Sequence, residues 1–251
     1  MIVRSDAIVL KSIPYGETSL IVTLFTRTYG KTTVIAKGAR VPGSRFGASL
    51  QMLSYSQVVF YHKAGRGVHT LSESSIAEPL LKLHRDMRHL GVAVRSVELV
   101  ASLLHEEEEN PLLFNLLVQV LHYLNEPLRF PENVLSYFQL RTAGALGFAP
   151  RIDREAVVAV GEEGARISLA SGAIVPNSAE ASRRISRSAV RAFAVFARAD
   201  LDVVIRMELR PEVRREVDAL IEDFMRYHVE DAYPTRSSRV LGQLRDLENG
   251  P

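Results

Sequence analysis

The stretch AIVLKSIPYGETSLIVTLFTRTYGKTTVIAKGA, Ala7 to Ala39, decides the fold of the N-terminal part of the chain. It contains three short runs rich in β-branched and other apolar residues: AIVLKS, SLIVTLFT and TTVIAKGA. The connections IPYGE and RTYGK contain Gly16 and Gly30, and short glycine-containing connections between such runs are typical of tight turns between strands. The stretch therefore predicts three consecutive β-strands.

Two further strands are predicted downstream. In LSYSQVVFYHK, apolar and polar residues alternate well enough to predict a fourth strand. AGRG is the predicted turn that connects it to a fifth strand, VHTLSESSIAE. Five strands joined by short turns within about 80 residues suit a small closed barrel of the oligonucleotide-binding (OB) type. We therefore predict an α+β protein whose residues 1–80 form a five-stranded OB-fold barrel.

The character of the sequence changes at Pro79, after which apolar residues recur at helical spacing in LLKLHRDMRHLGVAVRSVELVASLLHEEEE. Asn110 and Pro111 are predicted to be the N-cap and first residue of the helix LLFNLLVQVLHYL, and Pro131 to open ENVLSYFQLRTAGALGF. Helical spacing returns in residues 186–207 and 210–229. Residues 81–251 are therefore predicted to form an α-helical domain.

A small β insert is predicted within this helical domain at about residues 150–180. The segment RIDREAVVAVGEEGARISLASGAIVPNSA contains short strand-like runs and many turn residues. It is too small to be a free-standing domain. The turn-rich tail, residues 230–251, is expected to fray.

Composition excludes several classes of protein. The hydrophobic fraction of 47% and the charged fraction of 24% are those of an ordinary globular protein. No run approaches the roughly 18 apolar residues that span a bilayer, and no secretory signal is visible. The absence of cysteine excludes disulfides, zinc–thiolate sites and cysteine nucleophiles. These observations favour a cytoplasmic protein with no membrane partner.

Positive charge is concentrated in the N-terminal part of the chain. Residues 1–80 contain nine lysines and arginines against four acids, a net charge of +5, whereas the remainder contains 22 against 25, a net charge of −3. Such asymmetry is typical of a module that faces nucleic acid. A solvated surface with no ligand is the alternative interpretation.

The segment KGARVPGSRFG, Lys37 to Gly47, is the strongest single indication of nucleic-acid binding. Lys37, Arg40 and Arg45 repel one another unless an anion is present, and the loop glycines let the backbone approach phosphates closely. An exposed ring such as Phe46 or Tyr15 offers a face on which bases stack. Phe46 is equally well interpreted as a plug at the end of the barrel.

No motif argues for catalysis or for a cofactor. GKT at Gly30 lacks the upstream glycine of a phosphate-binding loop and is interpreted as a hairpin turn. His105 and Glu109 have a metal-ligand spacing on a helix, but HEEEE is interpreted as a solvated helix end. No nucleophile-elbow pattern G-x-S-x-G occurs, and the pair Asp153 and Glu155 has no partner signal.

The chain resembles the family of bacterial recombination mediators named RecO. The motifs lie mainly between Ala7 and Gln51: Tyr-Gly-Glu, a strand ending in Phe-Thr, Gly-Lys, Ala-Lys-Gly-Ala-Arg and Ser-Arg-Phe-Gly. LRTAGALGFAP resembles a Leu-Gly-Phe-x-Pro segment of the family, and RYHV with SSRVLGQL resembles its tail. The resemblance spans nearly the whole chain.

This resemblance implies a DNA repair and recombination protein that is cytoplasmic and nucleoid-associated. Members bind single- and double-stranded DNA, anneal complementary strands without ATP hydrolysis, and help to load RecA onto DNA coated by single-strand-binding protein. They work with RecR and dock the acidic C-terminal tail of single-strand-binding protein. No cofactor is expected. Carried over by position, the residues expected to contact DNA are Lys11, Arg27, Lys31, Lys37, Arg40 and Arg45.

One departure from the family concerns the β insert, where many members carry two Cys-x-x-Cys pairs. The first pair would fall near Val157 and Val160, and the second near Val175 and Ser178. None of these side chains binds zinc as a thiolate does. We therefore predict a zinc-free insert in which a small apolar core replaces the metal.

Two other classes of function stay open at this point. In the first, the protein is an interaction scaffold whose basic barrel and helical pocket bind acidic protein partners and not DNA. In the second, it is a nuclease, which needs clustered carboxylates and a metal that the sequence does not suggest. Retention of naked DNA at low salt separates the mediator from the scaffold, and magnesium-dependent shortening of a labelled strand identifies the nuclease.

Overall fold

The N-terminal strands of the chain close into a barrel. The computed structural model describes residues 1–177, 179–230 and 233–234. The barrel strands are β1 (Ile2–Tyr15), β2 (Ser19–Thr26), β3 (Gly30–Ala36), β4 (Tyr55–Tyr61) and β5 (His69–Glu78). Their order is β1-β2-β3-β5-β4, and β4 pairs back with β1. All neighbours are antiparallel except β3 and β5, and this topology confirms the predicted OB fold.

The barrel core follows from strand periodicity. Along β3, residues alternate between buried and half-buried, and Val34 is fully buried because every second side chain points to the same face. β1 departs from this rule because a bulge between Val9 and Lys11 shifts its pairing with β2. Beyond the bulge, Lys11 is exposed on the barrel surface. The core side chains include Val3, Val9, Val22, Leu24, Val34, Phe46, Leu50, Val58, Phe60 and Leu71.

Two helices follow the barrel, each with a capping residue at its start. α1 (Met87–Leu103) begins after a single 3-10 turn, and the Asp86 side chain accepts hydrogen bonds from the amides of Arg88 and His89. α2 (Pro111–Leu124) begins as predicted, because the Asn110 side chain accepts a hydrogen bond from the Leu113 amide at 2.9 Å. Such caps satisfy amides that have no partner within the helix.

The run HEEEE is not a helix end, so this part of the sequence interpretation is wrong. α1 ends at Leu103, and residues 104–110 form an irregular connection to α2. Glu106 makes an isolated bridge with Lys31, and the amide of Glu107 donates to the carbonyl of Lys31 at 2.7 Å. The acidic connection is therefore held by backbone hydrogen bonds to β3, and His105 and Glu109 do not share a helix face.

The C-terminal part is helical with a small sheet, as predicted. The sheet has the order β7-β6-β8 and is antiparallel throughout. It extends to Ile185, slightly beyond the predicted insert. The elements are α3 (Glu132–Ala145), α4 (Arg154–Ala159), β6 (Ala165–Ser168), β7 (Ile174–Val175), β8 (Ser182–Ile185), α5 (Arg187–Arg198), α6 (Leu201–Val204) and α7 (Pro211–Val229).

The positions at which the resemblance implies cysteines are largely apolar in this chain. Val157 and Val160 are buried, and Val175 is half-buried. The predicted apolar replacement is consistent with this burial, and the zinc-free insert stays a prediction. Ser178 and most of the tail, residues 231–232 and 235–251, lie outside the described residues.

The chain divides into two compact units, Met1–Glu126 and the part that begins at Pro127. The first unit therefore includes α1 and α2 together with the barrel. The predicted domain boundary near residue 80 stays a prediction.

Candidate nucleic-acid interface

The basic loop lies at one end of the barrel, after β3. Lys37, Arg40 and Arg45 are exposed, and successive turns fold the loop back on itself: Ser44 donates its amide to Val41 at 3.0 Å, and Gly47 to Ser44 at 3.3 Å. A 3-10 turn at Gly47–Leu50 then leads towards β4. The loop therefore presents its cations from a folded segment.

Arg40 fixes this loop against the turn between β1 and β2. Its amide donates to the carbonyl of Thr18 at 2.9 Å, and its guanidinium donates to the carbonyls of Gly16 and Glu17 at 3.1 and 3.3 Å. These acceptors are neutral, so the positive charge of Arg40 is not cancelled. A guanidinium has five N–H donors, and further donors stay available to a phosphate.

Among the described residues, the cations at this end of the barrel have no carboxylate within ion-pair distance. Within the described part of the chain, no carboxylate oxygen lies within 4.0 Å of Lys11, Lys37, Arg40 or Arg45. The Arg45 guanidinium lies 5.1 Å from the centre of the Phe46 ring. This cation–π contact positions the guanidinium but leaves its positive charge in place. In the part of the chain that the structure describes, these four cations are therefore not engaged in ion pairs, and the acid in the adjoining turn, Glu17, accepts from Arg40 through its backbone carbonyl.

A shallow groove adjoins the basic loop. It has a volume of about 500 Å³ and an open mouth, and Lys11 on β1 lies on its wall. The main-chain bulge in β1 and the 3-10 turn after the loop form its two sides, so Lys11 is close to the loop in space although it is distant in sequence. The lining residues are Lys11, Ser12, Ile13, Leu20, Gly47, Leu50, Gln51 and Met52.

Phe46 is a core residue, and the prediction that it stacks on a base is corrected. Its ring is 3% exposed and packs with the barrel core, so neither face is available to a base. The alternative interpretation, a plug at the barrel end, describes its position. Tyr15, at the end of β1 beside the Gly16–Thr18 turn, is 54% exposed and offers the aromatic surface at this end of the barrel.

Arg27 and Lys31 lie at the opposite end of the barrel from the basic loop. Arg27 donates to Asn115 Oδ1 at 2.9 Å, lies 3.5 Å from an Asp6 oxygen, and covers the Phe114 ring at 4.9 Å. Lys31 Nζ donates to the carbonyl of Ala101 at 3.1 Å. Both side chains connect the barrel to α1 and α2, so the structure does not bring them together with Lys37, Arg40 and Arg45.

Sequence reasoning missed Ser12, Gln51 and Met52, which line the groove together with Lys11. They are brought together by the β1 bulge and the 3-10 turn, and neither feature has a strong sequence signal.

Asp153, considered with Glu155 as a carboxylate pair, accepts a hydrogen bond from the Ala156 amide at 2.8 Å. It is therefore the N-cap of α4.

No helix in the described part of the chain has the length and apolar character needed to cross a membrane.

Comparison with known proteins gives matches along almost the whole chain. Two family models match: recombination protein O, N terminal, over residues 1–80, and recombination protein O, C terminal, over residues 84–238. A relative named DNA repair protein RecO from Salinibacter ruber is 51% identical over 246 residues, which cover 97% of this chain and 94% of the relative. A protein of the same name from Halalkalibacterium halodurans is 28% identical over 97% of this chain and 96% of its own length.

Proposed function

Since this chain belongs to the recombination protein O family and has a role in DNA repair and recombination, we propose that it is a DNA-binding recombination mediator. It binds single- and double-stranded DNA at the barrel end that carries Lys37, Arg40 and Arg45, with Lys11 in the adjoining groove. The observation that carries this proposal is the absence of a carboxylate within 4.0 Å of these four cations among the described residues.

The mechanism is charge neutralisation and needs no bond-making step, ATP or cofactor. Two DNA strands repel each other as they approach because each carries a phosphate charge at every nucleotide. A surface that neutralises several phosphates of one strand lowers this repulsion, so a complementary strand pairs faster. Tyr15 adds a ring on which a base of any identity stacks, and such stacking contributes about 1–3 kcal/mol per base.

The salt dependence of binding tests this mechanism directly. A labelled single strand is titrated with the full chain at several salt concentrations, with no other protein present. Each neutralised phosphate lowers log K by about 0.7 per log unit of salt. Four cations at the site therefore predict a slope of about −3. An affinity that does not change with salt, or no retention of naked DNA at low salt, contradicts the proposal and favours a scaffold for acidic proteins.

A charge-matched pair of variants separates this site from general positive charge. Replacing Lys37, Arg40 and Arg45 by alanine removes three charges and is expected to flatten the slope by about 2. The control variant replaces three exposed arginines of the C-terminal unit by alanine and is expected to keep the original slope. An equal loss of affinity in both variants contradicts the assignment to the loop. The three control residues are Arg191, Arg206 and Arg215.

The finer family activities are part of the same proposal. We expect the chain to anneal complementary strands that are coated by single-strand-binding protein, to dock that protein's acidic C-terminal tail, and to help load RecA together with RecR. Strand annealing is measured with single-strand-binding protein that retains or lacks its acidic tail. Annealing should be faster with the intact tail, and equal rates contradict docking. Addition of RecR should then increase RecA loading on the coated strand.

A further inference from the structure

Two histidines and one glutamate converge on the surface of the first compact unit. His62 follows the end of β4 and His69 begins β5, so the two rings face each other across the β4–β5 turn with centroids 4.5 Å apart. Glu107 comes from the connection between α1 and α2. Its Oε1 atom lies 2.9 Å from His62 Nε2 and 3.2 Å from His69 Nε2.

The surrounding structure holds these three side chains in place. The His69 side chain is 2% exposed and stacks on Phe60, and the His62 side chain is 15% exposed and lies against Tyr29. The Glu107 backbone has φ +61°, a left-handed conformation uncommon for glutamate, and its amide is bonded to Lys31. A constrained backbone of this kind occurs often at binding sites.

Glu107 supplies a carboxylate oxygen, which is a common ligand of zinc in proteins. Its Oε1 atom is the shared partner of both imidazoles. The Glu107 side chain is 47% exposed, so solvent reaches the point at which the three groups meet.

The spacing of the three groups matches a tetrahedral metal. Bonds of about 2.0–2.2 Å to nitrogen and oxygen place the ligand atoms of tetrahedral zinc about 3.3–3.5 Å apart. The two nitrogen–oxygen distances here are slightly shorter, and the three ligand atoms lie within 4.8 Å of one another. We propose that His62, His69 and Glu107 bind one zinc-class divalent ion, with water in the fourth position.

The donor set selects the class of metal. Two imidazoles and one carboxylate suit Zn²⁺ and related ions such as Co²⁺, whereas Mg²⁺ and Ca²⁺ prefer a full set of oxygen ligands. This site differs from the cysteine positions of the β insert, which lie in the other compact unit. The proposal does not depend on the DNA-binding function.

The Lys63 amide reports on the state of the His69 ring, because it donates to His69 Nδ1 at 3.3 Å. A neutral imidazole that binds an ion through Nε2 carries its proton on Nδ1, which then no longer accepts a hydrogen bond. We therefore expect ion binding to break this hydrogen bond and to change the surroundings of the Lys63 amide.

The test uses the full chain, Zn²⁺ and a colorimetric chelator as competitor. We expect one Zn²⁺ per chain, no competition from Mg²⁺, and visible ligand-field bands of a tetrahedral site with Co²⁺. His62→Ala and Glu107→Gln should each lower the affinity at least about tenfold. His105→Ala is the matched control, because His105 is exposed in the same connection and its side chain is outside the cluster. It should bind Zn²⁺ like the original chain.

A second measurement covers variants that fold poorly. In a ¹⁵N-labelled chain, Zn²⁺ should shift the Lys63 amide resonance, and it should raise the melting temperature of the original chain but not that of Glu107→Gln. Absence of one-to-one binding overturns the proposal. Unchanged affinity in His62→Ala and Glu107→Gln, or an equal loss in His105→Ala, also overturns it.

Discussion

The backbone carbonyl oxygen of Glu108 occupies the space in which a side chain on Gly30 would begin. A Cβ atom on Gly30 would lie 1.9 Å from that oxygen, and Gly30 has φ +60°. The connection between α1 and α2 therefore lies directly against the turn between β2 and β3. Glycine is needed here for two reasons, the positive φ and the close approach of another backbone.

Gly30→Ala is expected to lower the free energy of unfolding by about 2–5 kcal/mol. A left-handed non-glycine residue costs about 1–3 kcal/mol, and an overpacked site costs a similar amount. Gly16→Ala is the matched control, because Gly16 is also in a hairpin turn, with φ +57°, but nothing lies within 4 Å of its Cβ position. Urea denaturation should show a clearly smaller loss for Gly16→Ala. Equal losses would mean that the Glu108 backbone moves away at little cost.

Much of the barrel could be predicted because its strands are local and its turns contain glycine. The bounds of α2 could also be predicted, since Asn110 and Pro111 form a strong start signal. The connection HEEEE could not, because backbone bonds between Glu107 and Lys31 replace the helix that the acidic run favours. These bonds join residues far apart in the chain, and periodicity carries no information about them.

Only the part of the candidate interface that is local in sequence could be predicted. Lys37, Arg40 and Arg45 lie within one loop, so their proximity follows from the sequence. Arg27 and Lys31 are equally close in sequence but lie at the other end of the strands, where α1 and α2 supply their partners. The buried position of Phe46 depends on how the loop folds back over the barrel, which residue type alone does not determine.

Phe46→Ala is expected to destabilise the barrel by about 3–5 kcal/mol, the usual cost of removing a buried phenylalanine. Phe46→Leu keeps an apolar side chain there and should cost much less. Urea denaturation measures both variants. DNA affinity of the folded Phe46→Leu chain should equal that of the original chain, and a specific loss of binding would restore the stacking role.

Tyr15→Ala is expected to weaken binding to single-stranded DNA by about 1–3 kcal/mol, the contribution of one stacked base. Tyr15 is largely exposed, so the free energy of unfolding should change by less than about 0.5 kcal/mol. Tyr15→Phe is the control, because it keeps the ring and removes the hydroxyl. Fluorescence anisotropy with an oligonucleotide measures affinity; equal binding by Tyr15→Ala and Tyr15→Phe would place stacking elsewhere.

Arg27→Ala and Lys11→Ala are expected to have opposite effects. Loss of the Arg27 hydrogen bond to Asn115 and of its contact with Phe114 should lower stability by about 1–2 kcal/mol and leave DNA affinity nearly unchanged. Lys11 has no carboxylate partner in the described residues, so Lys11→Ala should keep stability and flatten the salt slope by about 0.7. Paired urea and salt titrations check this, and a flatter slope in Arg27→Ala would move the interface to the other end of the barrel.

Asp86→Ala is expected to lower stability at neutral pH by about 1 kcal/mol, because α1 loses its N-cap. Burial alone would raise the pKa of the Asp86 carboxyl, but the hydrogen bond with His89 and those from the amides of Arg88 and His89 together lower it.

A lowered pKa of Asp86 in the folded state stabilises the protein at pH values above the unfolded pKa of about 3.9, and this contribution is lost as the pH falls through the folded pKa. The stability difference between the original chain and Asp86→Ala should thus shrink as the pH falls below about 4. Asp86→Asn keeps the cap without titrating, so its difference from Asp86→Ala should stay constant across this range. If the two differences instead show the same dependence on pH in urea titrations, ionisation of Asp86 does not contribute to the cap.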